Sequence, residues 1–328
     1  MKKLIIILSI TGLSSMLISW GFFGHEHIDR AAVFALPAPL QSFFYNHIDF
    51  ITQEADVPDL RKHTLNDKAE GPRHFIDLEN FGSIDSLPKT MEEAKKKYDD
   101  KFLSQNGLLP WYISEMMEKL TIAFKEKKKS EILFIAADLG HYIGDAHMPF
   151  HTSSNYDGQL TNQKGIHSLW EARLPEMFGK DYNYHADDAK FIDNIQKTIW
   201  ETIVSTHSLL DSALLVDREL RKKYTEDKIY KTDASGKISK GKYGGQVFSN
   251  EYAKQFHIGL NGMVERQMRK SISATASFWY TAWVNAGKPD LSDLDPADLT
   301  KRNSKLFEDE FLLWKQGKLF GVESEKEF

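Results

Sequence analysis

Cysteine is missing from all 328 residues. Disulfides and thiolate metal sites are therefore excluded, and any bound metal must rest on histidine, aspartate and glutamate. A surplus of basic charge is missing too. The formal net charge is −5, which provides no positive field for non-specific binding of duplex DNA. Strand-like alternation is scarce and no internal repeat is visible. Beyond the first twenty residues, no apolar run is long enough for a stable membrane span. What is present is enough apolar material, 41% hydrophobic and 12% aromatic, for one large core or two modest ones.

The N-terminus reads MKKLIIILSITGLSSMLISW. Lys2 and Lys3 precede a mostly apolar stretch from Leu4 to Ile18, the pattern of a secretory signal peptide covering 1–19. Cleavage after the small residue Ser19 removes those two lysines, taking the charge from −5 to −7, and makes Trp20 the new N-terminus. The expected destination is the periplasm or the exterior.

Helical periodicity dominates the rest. It predicts helices over 38–53, over 110–126 with Pro110 in the first turn, over 131–147, and two long ones over 188–217 and 249–286. Gly and Pro mark loops at 106–110, 155–165 and 232–246, the last a polar surface excursion. The expectation is an all-α protein: a single multi-helix domain over 20–292 and a charged tail over 293–328. In that tail LFEDEFLLW can form a short last helix.

The stretch HYIGDAHMPFH, 141–151, gathers three histidines and an aspartate in eleven positions. On a helix, at about 100° per residue, His141 and Asp145 are four apart and share a face. His147 points away, as a partly exposed residue at the helix end. Pro149 should stop the helix near Met148, leaving His151 in a turn that can curl back. HSLWEARL repeats the device with His167 and Glu171, again four apart. Two such pairs with His151 between them suggest a shared centre. His25, His74, Asp56 and Asp59 are unremarkable singly, but neutral imidazole and carboxylate together form a set that zinc accepts.

The whole pattern resembles the trinuclear zinc phosphodiesterases. That superfamily contains bacterial zinc-dependent phospholipase C and the single-strand-specific zinc nucleases of fungi and plants. The resemblance rests on a processed N-terminal Trp, His at +5, an Asp fifteen residues before a His-Phe pair, H-x-x-x-D-x-x-x-x-x-H and H-x-x-x-E, and runs from Trp20 to Glu171. It implies three zinc ions. One would be held by Asp59, His74, His141 and Asp145. A second would take the amino nitrogen and carbonyl oxygen of Trp20, His25 and the other oxygen of Asp145. A third would take His151, His167 and Glu171. Asp59 has the better spacing to His74, with Asp56 the alternative three residues earlier. The implied reaction is hydrolysis of a phosphodiester by a metal-activated water, with Asp59 and Asp145 at its centre and Lys62 or Arg61 adding positive charge. In the nucleases the equivalents of Phe75 and Asp77 bind a base.

Three features depart from the nucleases. Lys62 stands where they commonly carry Arg, and lacks its bidentate fork. Their usual disulfides are absent. Glu171 is the acid of the phospholipase C branch, where nucleases prefer Asp. These features place phospholipase C first, a single-strand nuclease or 3′-nucleotidase second, and a non-catalytic zinc-binding protein third. The expected partner is accordingly a phospholipid or a single-stranded nucleic acid, with the protein a monomer.

Overall fold

The computed structural model of the protein describes residues 21–241, 245–295 and 298–318. The expected signal peptide and Trp20 lie outside the described residues. The architecture is all-α, as periodicity predicts. In chain order the helices are α1 (Gly21–Phe34), α2 (Leu40–Tyr45), α3 (Ile48–Glu54), α4 (Val57–His63), α5 (Met91–Lys97), α6 (Asp100–Asn106), α7 (Leu109–Lys125) and α8 (Lys129–Ala146). They continue with α9 (Ile166–Ser168), α10 (Leu174–Phe178), α11 (Ile195–His207), α12 (Leu210–Arg221), α13 (Glu226–Ile229), α14 (Asn250–Gly259), α15 (Met263–Asn285) and α16 (Lys301–Lys315).

The core is built where α1, α3, α7, α8 and α15 pack together. Phe44 stacks on Trp279 at 4.9 Å between ring centres, and both are fully buried. The Trp279 indole N–H donates to the Ala136 carbonyl at 2.9 Å, so its polar edge is satisfied inside the core. A fully buried phenylalanine such as Phe44 or Phe124 contributes about 1.5–3 kcal/mol relative to exposure.

Three predicted helices are broken, each for a visible reason. The 38–53 segment splits at Asn46 and His47. Their side chains are used elsewhere: Asn46 Oδ1 accepts from Thr300 N at 3.2 Å, and His47 Nε2 meets Asp295 Oδ2 at 2.7 Å. The 188–217 segment becomes helical only at Ile195, after the Asn194 side chain caps the backbone N–H of Lys197. It breaks again before α12. The 249–286 segment splits where Gly262 adopts φ +73°.

The described parts of the 232–246 loop, 232–241 and 245–246, belong to a β excursion, and 242–244 lie outside the described residues. The tail helix exists as α16 and packs into the same core. Its Trp314 is buried, and its buried Glu310 accepts two hydrogen bonds from Arg30 Nη2 of α1, at 3.0 and 3.1 Å, and one from Tyr45 at 2.9 Å.

Candidate metal centre

Two glycines explain how α1 reaches the centre. Gly140 and Gly144 are four apart on α8 and face α1. A Cβ on Gly140 would fall 1.9 Å from Asp29 Oδ1, and one on Gly144 would fall 3.0 Å from His25 Nδ1. The missing side chains let the helices close until His25 stacks on His141 at 3.7 Å between ring centres.

Asp145, in the last turn of α8, sits in the middle. One oxygen lies 3.0 Å from His74 Nδ1 and 3.4 Å from His141 Nε2. The other lies 3.1 Å from His151 Nδ1 and 3.7 Å from His25 Nε2. Pro149 follows the helix end and opens a 3₁₀ turn, Pro149–Thr152, that carries His151 back. Asp59, on α4, brings Oδ1 to 3.7 Å from His74 Nδ1. Asp56 stands at the N-cap of α4 and belongs to none of the donor groups found among the described residues.

The second pair differs in detail from its expected single helix. His167 lies in the short α9, and Glu171 lies in a π-turn, Leu169–Arg173. The two still meet, at 2.6 Å from Nε2 to Oε2, and His151 Nε2 is 3.3 Å from Glu171 Oε1. Three donor groups result: His25, His141 and Asp145; Asp59, His74 and His141; His151, His167 and Glu171. All are buried except His167, which is half-buried at the rim.

The donor chemistry fits a metal. Asp59 Oδ1, Asp145 Oδ1, His151 Nδ1 and Glu171 Oε1 are buried with no well-directed hydrogen bond, facing only one another and neighbouring imidazoles at 3.1 to 3.7 Å, an arrangement that a cation would satisfy better. Backbone carbonyls hold the far nitrogen of two ligand-type histidines: Ala55 O at 2.7 Å from His141 Nδ1, and Tyr156 O at 3.0 Å from His167 Nδ1. A proton on each Nδ1 leaves each Nε2 lone pair aimed into the centre.

The charges agree. Burial pushes Asp59 up, but His141 and His74 outweigh it and hold it below the usual carboxylate range. Burial likewise opposes Asp145 and Glu171, yet their histidine neighbours hold both well down. Burial lowers His151, but Asp145 and Glu171 raise it to about 10. Burial and His141 push His25 down to about 3. Metal cations can take the place of such protons, because they satisfy the same carboxylates.

Other predicted residues land differently. Lys62 Nζ is 3.7 Å from Asp59 Oδ1 and partly exposed beside the centre. Arg61 turns away from that role. It pairs with Asp138, 2.7 Å from Nη2 and 3.2 Å from Nη1, and with Glu70 at 3.1 Å, and so is committed to the framework. His147 is buried, not partly exposed. The turn after α8 folds it inward, and its Nδ1 meets Ile143 O at 2.7 Å, away from the donor groups.

Phe75 and Asp77 are half-buried. Between them the N–H of Ile76 donates to the carbonyl of His151 at 2.8 Å, so this extended segment is tied to the metal turn. Burial, with Glu79 nearby, raises Asp77 to about 6. Two residues had no place in the sequence pattern. Glu70 is fully buried behind His74, its Oε1 3.5 Å from Nε2. His63 lies 3.9 Å from Asp59 Oδ1. The same four-residue spacing that reveals His141 and Asp145 holds for both pairs, Glu70–His74 and Asp59–His63.

An all-helical scaffold closed around buried imidazoles and carboxylates has the donor groups of a metal-binding protein. A family model described as S1/P1 Nuclease matches residues 20–256, and the chain belongs to that family. It is 26% identical over 186 residues to "Nuclease S1" of Aspergillus oryzae (strain ATCC 42149 / RIB 40), a match covering 52% of this chain and 60% of that protein. The chain thus spans about three fifths of the length of the curated relative it matches. Lys62, the missing disulfides and Glu171 put the phospholipase C branch first on sequence; the family match and the relative favour the nuclease branch and reverse that order.

Proposed function

We propose that this protein is a zinc-dependent phosphodiesterase that cleaves single-stranded nucleic acid. The observation that carries the reading is the clustering of three largely buried donor groups, linked through His141 and through the Asp145–His151 contact, in a chain of the S1/P1 nuclease family. Asp59, His74, His141 and Asp145 would hold one zinc. His25 and Asp145, with the amino terminus at Trp20, would hold a second, and His151, His167 and Glu171 a third. When bound, zinc supplies Lewis acidity and a water acidified toward neutral pH.

The chain's own residues do the rest. Ala55 and Tyr156 orient the histidines through their carbonyls. Lys62 places a positive charge beside the centre, where it can attract a phosphate. Phe75 offers a partly exposed ring for stacking on a base, and Asp77 a carboxyl for hydrogen bonding to it. Arg61 supports this indirectly, through Glu70 and His74. The route to the cell exterior rests on the 1–19 segment; no described helix is long and apolar enough to cross a membrane.

The test is a paired assay of zinc-loaded protein on single-stranded DNA and on phosphatidylcholine micelles, each with and without a chelator. Chelator-sensitive nucleotide release with intact lipid is expected. Release of phosphocholine with intact DNA would restore the phospholipase C order, and inactivity on both would leave a zinc-binding protein without this activity.

A further inference from the structure

The acidic chain has more than one basic stretch: 119–129 holds five lysines against one glutamate, but Lys119, Lys127, Lys128 and Lys129 are in ion pairs, and the longer stretch that follows leaves more of its charge unpaired. Residues 218–241 hold eight Lys and Arg against four Asp and Glu, whereas the whole chain is at −5. The second half of this segment enters the β excursion, in which three short extended stretches bridge one another: Tyr230 with Phe248, Thr232 with Ile238, and Lys240 with Gln246. Lys231 N donates to Val247 O at 2.7 Å and Ser239 N to Lys231 O at 2.7 Å. Asp233 is spent on its own turn, accepting from the N–H groups of Ser235 at 2.8 Å and Lys237 at 3.1 Å. Lys223, Lys228, Lys237 and Lys240 are exposed, with no carboxylate in ion-pair reach among the described residues.

The excursion is anchored on both sides of the turn that carries His167 and Glu171. Before it, Gly165 has φ +92° and no side chain, and the Phe248 ring fills the space: a Cβ there would lie 3.0 Å from Phe248 Cε2. After it, Arg173 Nη2 donates to Asn250 Oδ1 at 2.5 Å. The stem is braced from a third side, where Arg221 pairs with Asp217 at 2.6 Å and lies 5.9 Å from the Tyr230 ring centre.

We propose that this basic excursion binds the phosphate backbone of a single-stranded nucleic acid several nucleotides from the scissile bond, on the His167–Glu171 side of the centre. This deepens the nuclease reading and rests on it. Lysines are point charges that attract phosphates without reading bases, so the excursion confers preference for long strands and not for a sequence. The more acidic remainder of the chain repels a polyanion elsewhere, which focuses it on this platform. Each phosphate neutralised on a single strand adds about −0.7 to the slope of log affinity against log salt.

The test compares the native zinc enzyme with a Lys223→Gln, Lys237→Gln, Lys240→Gln triple variant. The substrates are a long single-stranded oligonucleotide and a dinucleotide, each over a salt series. On the long strand at low salt, kcat/KM should fall several-fold and the salt slope should flatten by about 2, three lysines at 0.7 each. Dinucleotide cleavage should be unchanged. Equal loss on both substrates would show that the excursion merely props the third donor group, and no loss on either would remove it from substrate binding. A second readout is the anisotropy of a nuclease-resistant phosphorothioate strand. If the native enzyme cleaves neither substrate, the nuclease reading fails by itself; strand binding lost in the variant would still support the basic platform. Loss of binding to phosphatidylserine vesicles with strand binding intact would replace nucleic acid with a lipid surface and overturn the proposal.

Discussion

Asp145 touches four imidazoles through its two oxygens, which makes it the residue on which the centre depends most. Asp145→Ala should therefore lose at least two metal ions together, as measured by elemental analysis. Loss of one alone would mean that the donor groups are independent. His147 is the contrast. It is equally buried but its partner is the Ile143 carbonyl, so His147→Ala should keep the metal content and lower the melting temperature. Asp29 carries a different prediction. Both of its carboxyl oxygens are buried without a hydrogen-bond partner, and burial with Asp138 nearby raises it well above the usual range. The folded state then keeps this proton after the unfolded chain has lost it. Stability falls as pH rises above the unfolded value, by up to about 1.4 kcal/mol per pH unit. Asp29→Asn should flatten that slope and stabilise the protein most at higher pH. Denaturant titrations from pH 4 to 8 would detect this, and parallel slopes for the two proteins would count against it.

At the scale of elements, the close contact of α1 and α8 decides whether His25 can join the centre. Gly140→Ala places a Cβ 1.9 Å from the Asp29 carboxylate, so either that buried carboxylate or the helices must shift. The expected cost is about 1–3 kcal/mol of stability, with weakened metal binding at His25; calorimetry with metal titration would show both. Unchanged stability would mean that Asp29 has room to swing aside. The elements also show what periodicity can convey. Pro149 and the four-residue spacing account for His151, His141 and Asp145 lying close together, because local sterics and the helical repeat govern them. The breaks at Asn46–His47 and at Asn194 follow from side-chain hydrogen bonds, the first of them to residues some 250 positions away, which no local window contains.

At the scale of the whole molecule, α16 lies beyond the 20–256 stretch matched by the family model and yet braces α1. Arg30 and Glu310 are both buried. Glu310→Ala removes one side of a buried pair, at an expected cost of about 3–5 kcal/mol. The melting temperature should drop clearly, and a change within a degree would show that Thr52 and Asp49 suffice for Arg30.

The sequence by itself determined the helical class, the absence of thiolate ligands and the histidines and carboxylates able to share a centre. These follow from composition, helical period and proline placement, all local properties. Only the tertiary structure decided which donors meet. It brought Asp59, and not Asp56, into a donor group with His74 and His141. It withdrew Arg61 into ion pairs with Asp138 and Glu70, buried His147, and set Phe248 against Gly165, beside the turn that carries His167. Each outcome depends on the distance between residues far apart in the chain, and packing alone sets that distance.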